Sequence, residues 1–269
     1  MSAPEGADGG VGTPQVPDPG GRPSDGQVSG TLHSILLLGE DYAELEEIRI
    51  RDLTPKVAIG ISRGRFPKGY PHVDPNEDSV FAAIDGTTAI LAVADGHHGF
   101  DAARAAMLAI AEAAPQFLND SLEDVVYRLA TSATEAVSKA VPPLPSPRDT
   151  SRTSLTIAAI RDNAVAATTI GDTALFVVAG RRMTRVGVDS GYVSSATDPT
   201  AIEVISASVS HKAMLILTSD GFLDFAAHPK AALRAAASLR ACDAVDHLIS
   251  EAFSGGAGDN LAIAVHTGS

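Results

Sequence analysis

Acidic residues recur directly before or after predicted strands along this 269-residue chain. The clearest case is TAILAVADGHHG at residues 88–99, where an apolar run leads into Asp95, Gly96 and His97. A carboxylate at the end of a buried strand has a fixed place on the rim of a sheet, and the glycine lets the backbone come close to whatever the carboxylate holds. Hard divalent cations prefer oxygen ligands, including backbone carbonyls. The stretch therefore indicates a metal-binding position.

Four further acidic sites share this placement. The Asn-Glu-Asp triplet at residues 76–78 comes just before a predicted strand, Asp172 and Asp220 each follow one, and Asp259 comes just before the last. Each site taken alone is also explained by a turn or a helix cap. Asp85 shows that simpler case, because Asp85-Gly86 is a typical hairpin turn and needs no chemistry.

Taken together, these sites favour a metal centre. Strand ends of one sandwich can converge at one edge, and converging carboxylates repel one another and are costly to desolvate unless a cation joins them. No lysine or arginine is expected to stand beside these aspartates and pair with them. A pair of divalent cations resolves the problem, and oxygen-only ligands indicate Mg²⁺ or Mn²⁺. The chain has no histidine and cysteine cluster of the kind that binds structural zinc.

Composition excludes several other classes. A net charge of −13 argues against nucleic-acid binding, which needs a basic surface. No apolar run approaches the length of a membrane span, and the N-terminal residues lack the order of a signal peptide. The single cysteine, Cys242, excludes an internal disulfide framework and fits a reducing compartment. We therefore expect a cytoplasmic monomer with no membrane or nucleic-acid partner.

The order of predicted elements indicates an α+β layered sandwich. Residues 1–30 are rich in Gly, Pro, Ser and Asp and predict a disordered tail, and residues 31–269 predict one domain. Residues 31–52 fit either helix or strand. Helical periodicity follows Gly99 and is expected to end at Pro115, and a capping box at Ser121 and Asp124 starts a second helix. Runs of strands separated from paired helices favour layers over alternating βαβ units. The predicted strands are 56–62, 79–84, 87–94, 154–160, 164–170, 174–178, 183–186, 213–218 and 261–266, and the two last helices are 229–240 and 243–253.

Six motifs in this order resemble those of the metal-dependent, type 2C (PPM) serine/threonine protein phosphatases, over about residues 55–267. They are NEDS (76–79), VADGHHG (93–99), SRTSLTIAAI (151–160), IGDTALFVV (170–178), LTSDGFLD (217–224) and GDNLAIAV (258–265). The resemblance implies a four-layer α-β-β-α fold, with a central antiparallel β-sandwich between helix pairs. It also implies hydrolysis of phosphoserine and phosphothreonine in proteins, the substrate being a kinase or another regulator.

The resemblance also implies roles for individual residues. The implied ligands of one Mn²⁺ or Mg²⁺ ion are Asp95, Asp220 and Asp259. A second ion would be bound by Asp95, the Gly96 carbonyl and the region of Glu77 and Asp78. A third, weaker ion would be bound by Asp172 with Asp220. Asn260 would orient Asp259. Two ions would activate a water that attacks phosphorus, and His97 would protonate the leaving oxygen. His98 receives no role.

The chain departs from the family pattern in the loop before residue 76. Family members usually carry an arginine three residues before the Asn-Glu-Asp triplet, where it grips the substrate phosphate, and that position here is Val73. Lys68, His72, Arg63 and Arg65 are the substitutes that the loop offers. A lysine or histidine would hold phosphate less directionally than an arginine.

Three functions remain open from the sequence. The first is a phosphoprotein phosphatase, and its mobile flap would be reduced to about residues 187–200 because little chain separates Asp172 from Asp220. The second is a pseudo-phosphatase that binds phosphoproteins without hydrolysing them, which the missing arginine favours and the intact acidic set opposes. The third is a phosphatase of small phosphoesters, which an open site would admit.

Overall fold

Two antiparallel sheets form the centre of the computed structural model, which describes residues 32–68, 75–142, 150–187 and 191–268. The first sheet contains β1 (His33–Leu38), β4 (Ser79–Asp85), β5 (Thr88–His97), β6 (Arg152–Arg161), β7 (Ala164–Ile170) and β10 (Ile205–Ser208), in the spatial order β1-β4-β5-β6-β7-β10. The second contains β2 (Ile48–Thr54), β3 (Val57–Ser62), β8 (Ala174–Ala179), β9 (Arg182–Val186), β11 (Met214–Thr218) and β12 (Leu261–Thr267), in the order β2-β3-β12-β11-β8-β9.

Helices cover the outer face of each sheet. They are α1 (Asp101–Phe117), α2 (Leu122–Ala140), α3 (Asp220–Phe225), α4 (Pro229–Ala236) and α5 (Ala241–Ser254). Helices α1 and α2 pack on the first sheet, and α3 to α5 pack on the second. The predicted α+β fold with four α-β-β-α layers is confirmed. Among the described residues, no helix is both long and apolar enough to cross a membrane.

Strand β5 shows why these sequences make buried layers. Its residues alternate between two cores: Leu91 and Val93 pack against the second sheet, while Ile90 and Ala92 pack against the helices. Successive side chains of a strand point to opposite faces, so a strand that is covered on both faces needs an apolar run rather than an alternating pattern. This buried strand leads directly to the acidic residues of interest.

Local signals in the sequence predicted several junctions correctly. The Asp85-Gly86 hairpin is confirmed, with Gly86 at a φ of 54° and Asp85 paired with Thr88. Ser121 caps α2 and accepts a hydrogen bond of 3.1 Å from the Asp124 amide. The undecided segment 31–52 forms β1, a short 3₁₀ turn and the start of β2.

Three predictions about elements were wrong or incomplete. Helix α1 continues through Pro115 to Phe117, because the buried side chains of Ala114 and Leu118 hold its last turn against the core despite the missing N–H. Strand β10 was missed; it is a short edge strand of four residues whose side chains are all exposed. Helix α3 was missed because Asp220-Gly221 has the composition of a turn.

The predicted tail at residues 1–30 lies outside the described residues. Residues 188–190 of the predicted reduced flap lie outside them as well. Within the rest of that segment, residues Pro199–Ala201 form a 3₁₀ turn, and Asp198 caps it through a 2.9 Å hydrogen bond from the Thr200 amide.

Candidate metal centre

Strand β5 delivers the central carboxylate. The strand was predicted to end before Asp95, but it continues to His97, and Asp95, Gly96 and His97 pair with Ser154, Thr153 and Arg152 of β6. The backbone turns only at His98 and Gly99, both of which have positive φ. Pairing on β6 fixes the Asp95 side chain, which is 6% exposed, on a rigid part of the sheet. The site is therefore built on strands rather than on a turn.

Gly96 allows a second acidic segment to approach. A Cβ atom at Gly96 would lie 2.6 Å from the backbone oxygen of Glu77, so any side chain would push the two segments apart. The Gly99 amide donates to the Glu77 carboxylate and fastens this contact. The glycine thus brings buried Glu77 and Asp78 beside Asp95.

Asp220 reaches the same place from the second sheet. It begins α3 directly after β11, and its side chain shares a hydrogen bond with Asp95. A Cβ atom at Gly221 would lie 2.0 Å from the backbone oxygen of Asn260, so a glycine is needed for α3 to contact the loop that precedes β12. That loop carries Asp259.

Asn260 connects this loop to the Asn-Glu-Asp segment. Its backbone N–H donates to Asp259 Oδ1 at 2.8 Å, and its side-chain oxygen accepts from the Glu77 amide at 2.9 Å. Its side-chain nitrogen donates to the carbonyls of Arg63 and Pro75 at 2.9 and 3.0 Å. Asn260 was predicted to orient Asp259, and its contacts extend to Glu77 as well.

The carboxylates at the centre lack a compensating charge. Burial, together with neighbouring aspartates, raises the pKa of Asp95 well above its ordinary value and the pKa of Asp220 to about 9. Burial also raises the pKa of Asp78 to about 8. The Oδ2 atoms of Asp78 and Asp95 are buried without a hydrogen-bond partner. Unpaired buried oxygens of this kind are costly, and a divalent cation satisfies them. The donor set therefore fits Mg²⁺ or Mn²⁺.

Lys68 corrects the prediction that no cation stands beside these aspartates. Its Nζ lies 2.8 Å from Glu77 Oε2 and 2.8 Å from Asp259 Oδ1. Burial disfavours the ammonium, but the charges of Asp259 and Glu77 outweigh that effect and raise the pKa of Lys68 above its ordinary value. The prediction was wrong because Lys68 is remote from Asp259 in sequence and only the folded loop joins them. We call Lys68, Glu77 and Asp259 the Lys68 end of the site.

The cations that were predicted as substitutes for the phosphate-binding arginine have different partners in the structure. Arg63 donates to the Ala43 carbonyl at 2.6 Å, and Arg65 pairs with Glu46 at 3.3 Å, so both are engaged away from the carboxylates. Lys68 alone of the three reaches the acidic cluster. His72 and Val73 lie outside the described residues.

A separate part of the cluster contains His97. Its Nε2 lies 3.7 Å from Asp172 Oδ2, 3.9 Å from Asp95 Oδ1 and 3.4 Å from Ser154 Oγ. Asp95, His97 and Asp172 each offer a ligand atom within 4.8 Å of the others, as a metal site would require. Burial acts to raise the pKa of Asp172, but the neighbouring His97 ring and a hydrogen bond from Ser154 prevail and lower it to about 2.

Two residues that the sequence reading did not select complete this side. The Tyr192 ring meets the His97 ring edge-on with centroids 4.7 Å apart, and its hydroxyl donates to Asp172 Oδ2 at 3.5 Å. The Arg152 guanidinium lies over the Tyr192 ring, 4.5 Å from its centroid. We call His97, Asp172, Tyr192 and Arg152 the His97 end of the site.

Only Arg152 had a usable signal in the sequence. It is the first residue of a buried strand inside one of the quoted motifs, and it pairs with His97 of the Asp-Gly-His stretch. Tyr192 gave none, because a single backbone bridge between Thr153 and Val193 brings it to the site. The structure thus gathers all nine residues that were predicted to form the site. They are Glu77, Asp78, Asp95, Gly96, His97, Asp172, Asp220, Asp259 and Asn260.

Comparison with solved structures identifies the fold. The catalytic domain of the serine/threonine phosphatase PstP, solved in complex with two manganese ions, aligns with a TM-score of 0.63 and 18% identity over 83% of this chain and 100% of that chain. MsPP, a PPM Ser-Thr phosphatase from Mycobacterium smegmatis solved with cacodylate, aligns with a TM-score of 0.61 and 18% identity over 84% of this chain and 100% of that one. RsbX, solved in complex with magnesium, aligns with a TM-score of 0.59 and 15% identity over 83% of this chain and 100% of that chain.

Comparison of sequences gives two further results. No curated protein sequence matches this chain at a significant level. The model of the family described as Protein phosphatase 2C matches residues 71–255, which is more than half of the chain and spans the acidic residues of the centre from Glu77 to Asp220. The chain belongs to the protein phosphatase 2C family of metal-dependent serine/threonine phosphatases.

Proposed function

We propose that this enzyme hydrolyses phosphoserine and phosphothreonine in proteins, using two Mn²⁺ or Mg²⁺ ions held by the acidic cluster. One observation carries the proposal. The buried Oδ2 atoms of Asp78 and Asp95 have no hydrogen-bond partner, and the Asp95 side chain shares a hydrogen bond with another carboxyl, that of Asp220. A fold keeps such a costly group of carboxylates where a ligand satisfies them. PstP has the same fold and was solved with two manganese ions, which supports the count of two.

The ligands that we assign follow from position. Asp95 would be a ligand of both ions, Asp220 and Asp259 would help to hold one of them, and the segment of Gly96, Glu77 and Asp78 would help to hold the other. Asp172 with Asp220 is the site that we propose for a third, weaker ion. When bound, the ions lower the pKa of a water for attack on phosphorus and neutralise phosphate charge.

His97 is the general acid that we propose. It lies beside Asp95 and is flanked by Asp172, whose carboxylate stabilises the protonated imidazole. A protonated Nε2 at this place donates its proton to the seryl or threonyl oxygen as that oxygen leaves phosphorus. Ser154, within 3.4 Å of the same nitrogen, orients the ring.

A second candidate is the pseudo-phosphatase, and one observation favours it. Lys68 already neutralises Glu77 and Asp259, two of the residues assigned to metal. In a chain that had lost its metals, these ion pairs would stabilise the fold by balancing two of the buried or partly buried carboxylates. The raised pKa values of Asp78, Asp95 and Asp220 oppose this candidate, because the charge of Lys68 offsets only part of the cost of burying Asp78 and Asp95 and is not among the main groups that shift the pKa of Asp220.

The deciding experiment is hydrolysis of a phosphothreonine peptide by the purified full chain. Phosphate release is measured with Mn²⁺, with Mg²⁺ and with chelator, for the wild type, Asp220→Asn and Asp85→Asn. Asp85 is the matched control, because it also belongs to an Asp-Gly pair but lies in the hairpin turn between β4 and β5. We expect metal-dependent release that falls about 1,000-fold or more in Asp220→Asn and is unchanged in Asp85→Asn.

The other candidates give different results. Metal binding without turnover of any phosphoester would favour the phosphoprotein-binding module. Equal turnover of the peptide and of small phosphoesters would favour the small-molecule phosphatase. Turnover that persists in chelator, or in Asp220→Asn, would contradict the proposed centre.

A further inference from the structure

Arg152 occupies an unusual position for a cation. It is the first residue of β6 and pairs in register with His97, so it stands at the end of the strand pair that carries Asp95 and His97. Its guanidinium stacks on Tyr192, which in turn contacts His97 and Asp172. Arg152 is therefore separated from the proposed general acid by one aromatic ring.

The Arg152 guanidinium has no anionic partner among the described residues. Its Nε is buried and has no hydrogen-bond partner, and within the described ranges Arg152 forms no ion pair. A buried N–H without an acceptor is destabilising, and a planar guanidinium is best satisfied by two oxygens of one anion. The Asp172 carboxylate, which contacts the same Tyr192, already receives hydrogen bonds from Ser154 and Tyr192 and lies beside His97.

The charge of the site indicates what that anion is. A phosphomonoester dianion that approaches this cluster meets several carboxylates, so it needs a cation on its own side. Lys68 is already bound to two carboxylates, whereas Arg152 is bound to none among the described residues. The stack on Tyr192 fixes the plane of the guanidinium and lowers the entropy lost when it binds.

We propose that Arg152, held in place by Tyr192, binds the phosphate group of the substrate with two N–H donors. The proposal rests on the proposed phosphatase function and names the residue that holds the reacting group. Tyr192 acts through Arg152 and is a positioning residue. Lys68, on this account, serves the acidic residues and not the substrate.

The test compares Arg152→Met and Arg152→Lys with the wild type. Arg182→Met is the matched control, because Arg182 is exposed on β9 and its loss changes the net charge equally. The measured quantities are kcat and KM for the phosphothreonine peptide, the affinity for inorganic phosphate by calorimetry, and the affinity for Mn²⁺. We expect Arg152→Met to weaken phosphate binding and raise KM about tenfold to hundredfold, with Mn²⁺ affinity unchanged. Arg152→Lys recovers only part of the loss.

Variants of the tyrosine add a second readout. Tyr192→Leu should weaken phosphate binding in the same direction, and Tyr192→Phe should restore it, because the ring and not the hydroxyl holds Arg152. Phosphate affinity that is unchanged in Arg152→Met overturns the inference, as does a parallel loss of Mn²⁺ affinity. Phosphate binding that depends on Arg152 in a chain without turnover would support this inference while the phosphatase function fails.

Discussion

The two ends of the site each contain a cation, and the two cations are used differently. At the Lys68 end, the ammonium lies 2.8 Å from the buried carboxylate of Glu77 and 2.8 Å from the partly exposed carboxylate of Asp259. At the His97 end, the Arg152 guanidinium lies on an aromatic ring and has a buried Nε without a partner. The carboxylate of that end, Asp172, accepts hydrogen bonds from Ser154 and Tyr192 instead and lies 3.7 Å from His97 Nε2.

This difference separates charge balance from recognition. A cation in two ion pairs uses its N–H donors for carboxylates of the protein, and it stabilises the acidic segments in the absence of metal. A cation on an aromatic face keeps its donors for an incoming anion. Proximity to a cluster therefore does not by itself identify a phosphate-binding residue, and the partner list of each cation is the better guide. Three predictions examine the contrast, beginning with the largest effect.

The first prediction concerns the acid at the His97 end. We expect His97→Gln to slow hydrolysis of phosphothreonine about 10²- to 10⁴-fold, because the leaving alkoxide loses its proton donor. Hydrolysis of an aryl phosphate with a good leaving group should change much less, because that group leaves without protonation. The two substrates are compared by kcat at saturating Mn²⁺.

The neighbouring His98 gives the matched control. His98→Gln should leave both rates close to those of the wild type, since no role in the chemistry is assigned to His98. Equal losses on the two substrates in His97→Gln would show that His97 supports the metal centre rather than the leaving group.

The second prediction compares the two cations through stability. In chelator, Lys68→Met leaves Glu77 and Asp259 without their partner and should lower the free energy of unfolding by about 3 kcal/mol. Arg152→Met loses only a stack on Tyr192 and should cost about 0.5–1 kcal/mol. Urea unfolding of both variants and the wild type measures the difference.

Mn²⁺ should narrow the difference in stability between the two variants. Because Lys68 competes with cations for Glu77 and Asp259, we expect Mn²⁺ to stabilise Lys68→Met more than it stabilises the wild type. Similar costs for the two variants in chelator would contradict the distinction drawn between the ends.

The third prediction uses pH to examine the centre between the ends. In the metal-free protein, Asp78 and Asp220 have pKa values of about 8 and about 9, above their ordinary value. A carboxyl with a raised pKa favours the folded state only while it is protonated, so its contribution is lost as pH rises toward those values. Stability in chelator should therefore decline between about pH 6.5 and about pH 9, and Asp220→Asn should gain about 1–2 kcal/mol on the wild type across that range.

Another titrating group lies outside this window. Burial lowers the pKa of His266 to about 4, so its contribution to stability is lost only as pH falls below about 6.5. Unfolding in urea at several pH values, with Asp85→Asn as control, isolates the carboxylates. A stability that is flat over the range, or a slope that Mn²⁺ leaves in place, would contradict the account of the centre.

Local signals in the sequence predicted most of the fold and the acidic set. Apolar runs such as that of β5 specify buried strands, the Asp85-Gly86 pair specifies a hairpin, and Ser121 with Asp124 specifies a helix start, because each depends on residues close together in the chain. The motifs around Asp95, Asp220 and Asp259 indicated the family for the same reason. Where a local signal conflicted with packing, as at Pro115, or an edge strand was short and exposed, as β10 is, the prediction failed.

The sequence by itself determined which carboxylates take part and on which elements they lie. Only the tertiary structure decided which cation each of them meets. Lys68 reaches Asp259 through a loop, and Tyr192 reaches His97 through the bridge between Thr153 and Val193. Such contacts join segments that are far apart in sequence, and the packing of the two sheets sets them rather than the preference of any one residue. The separate uses of Lys68 and Arg152 are for that reason a property of the fold.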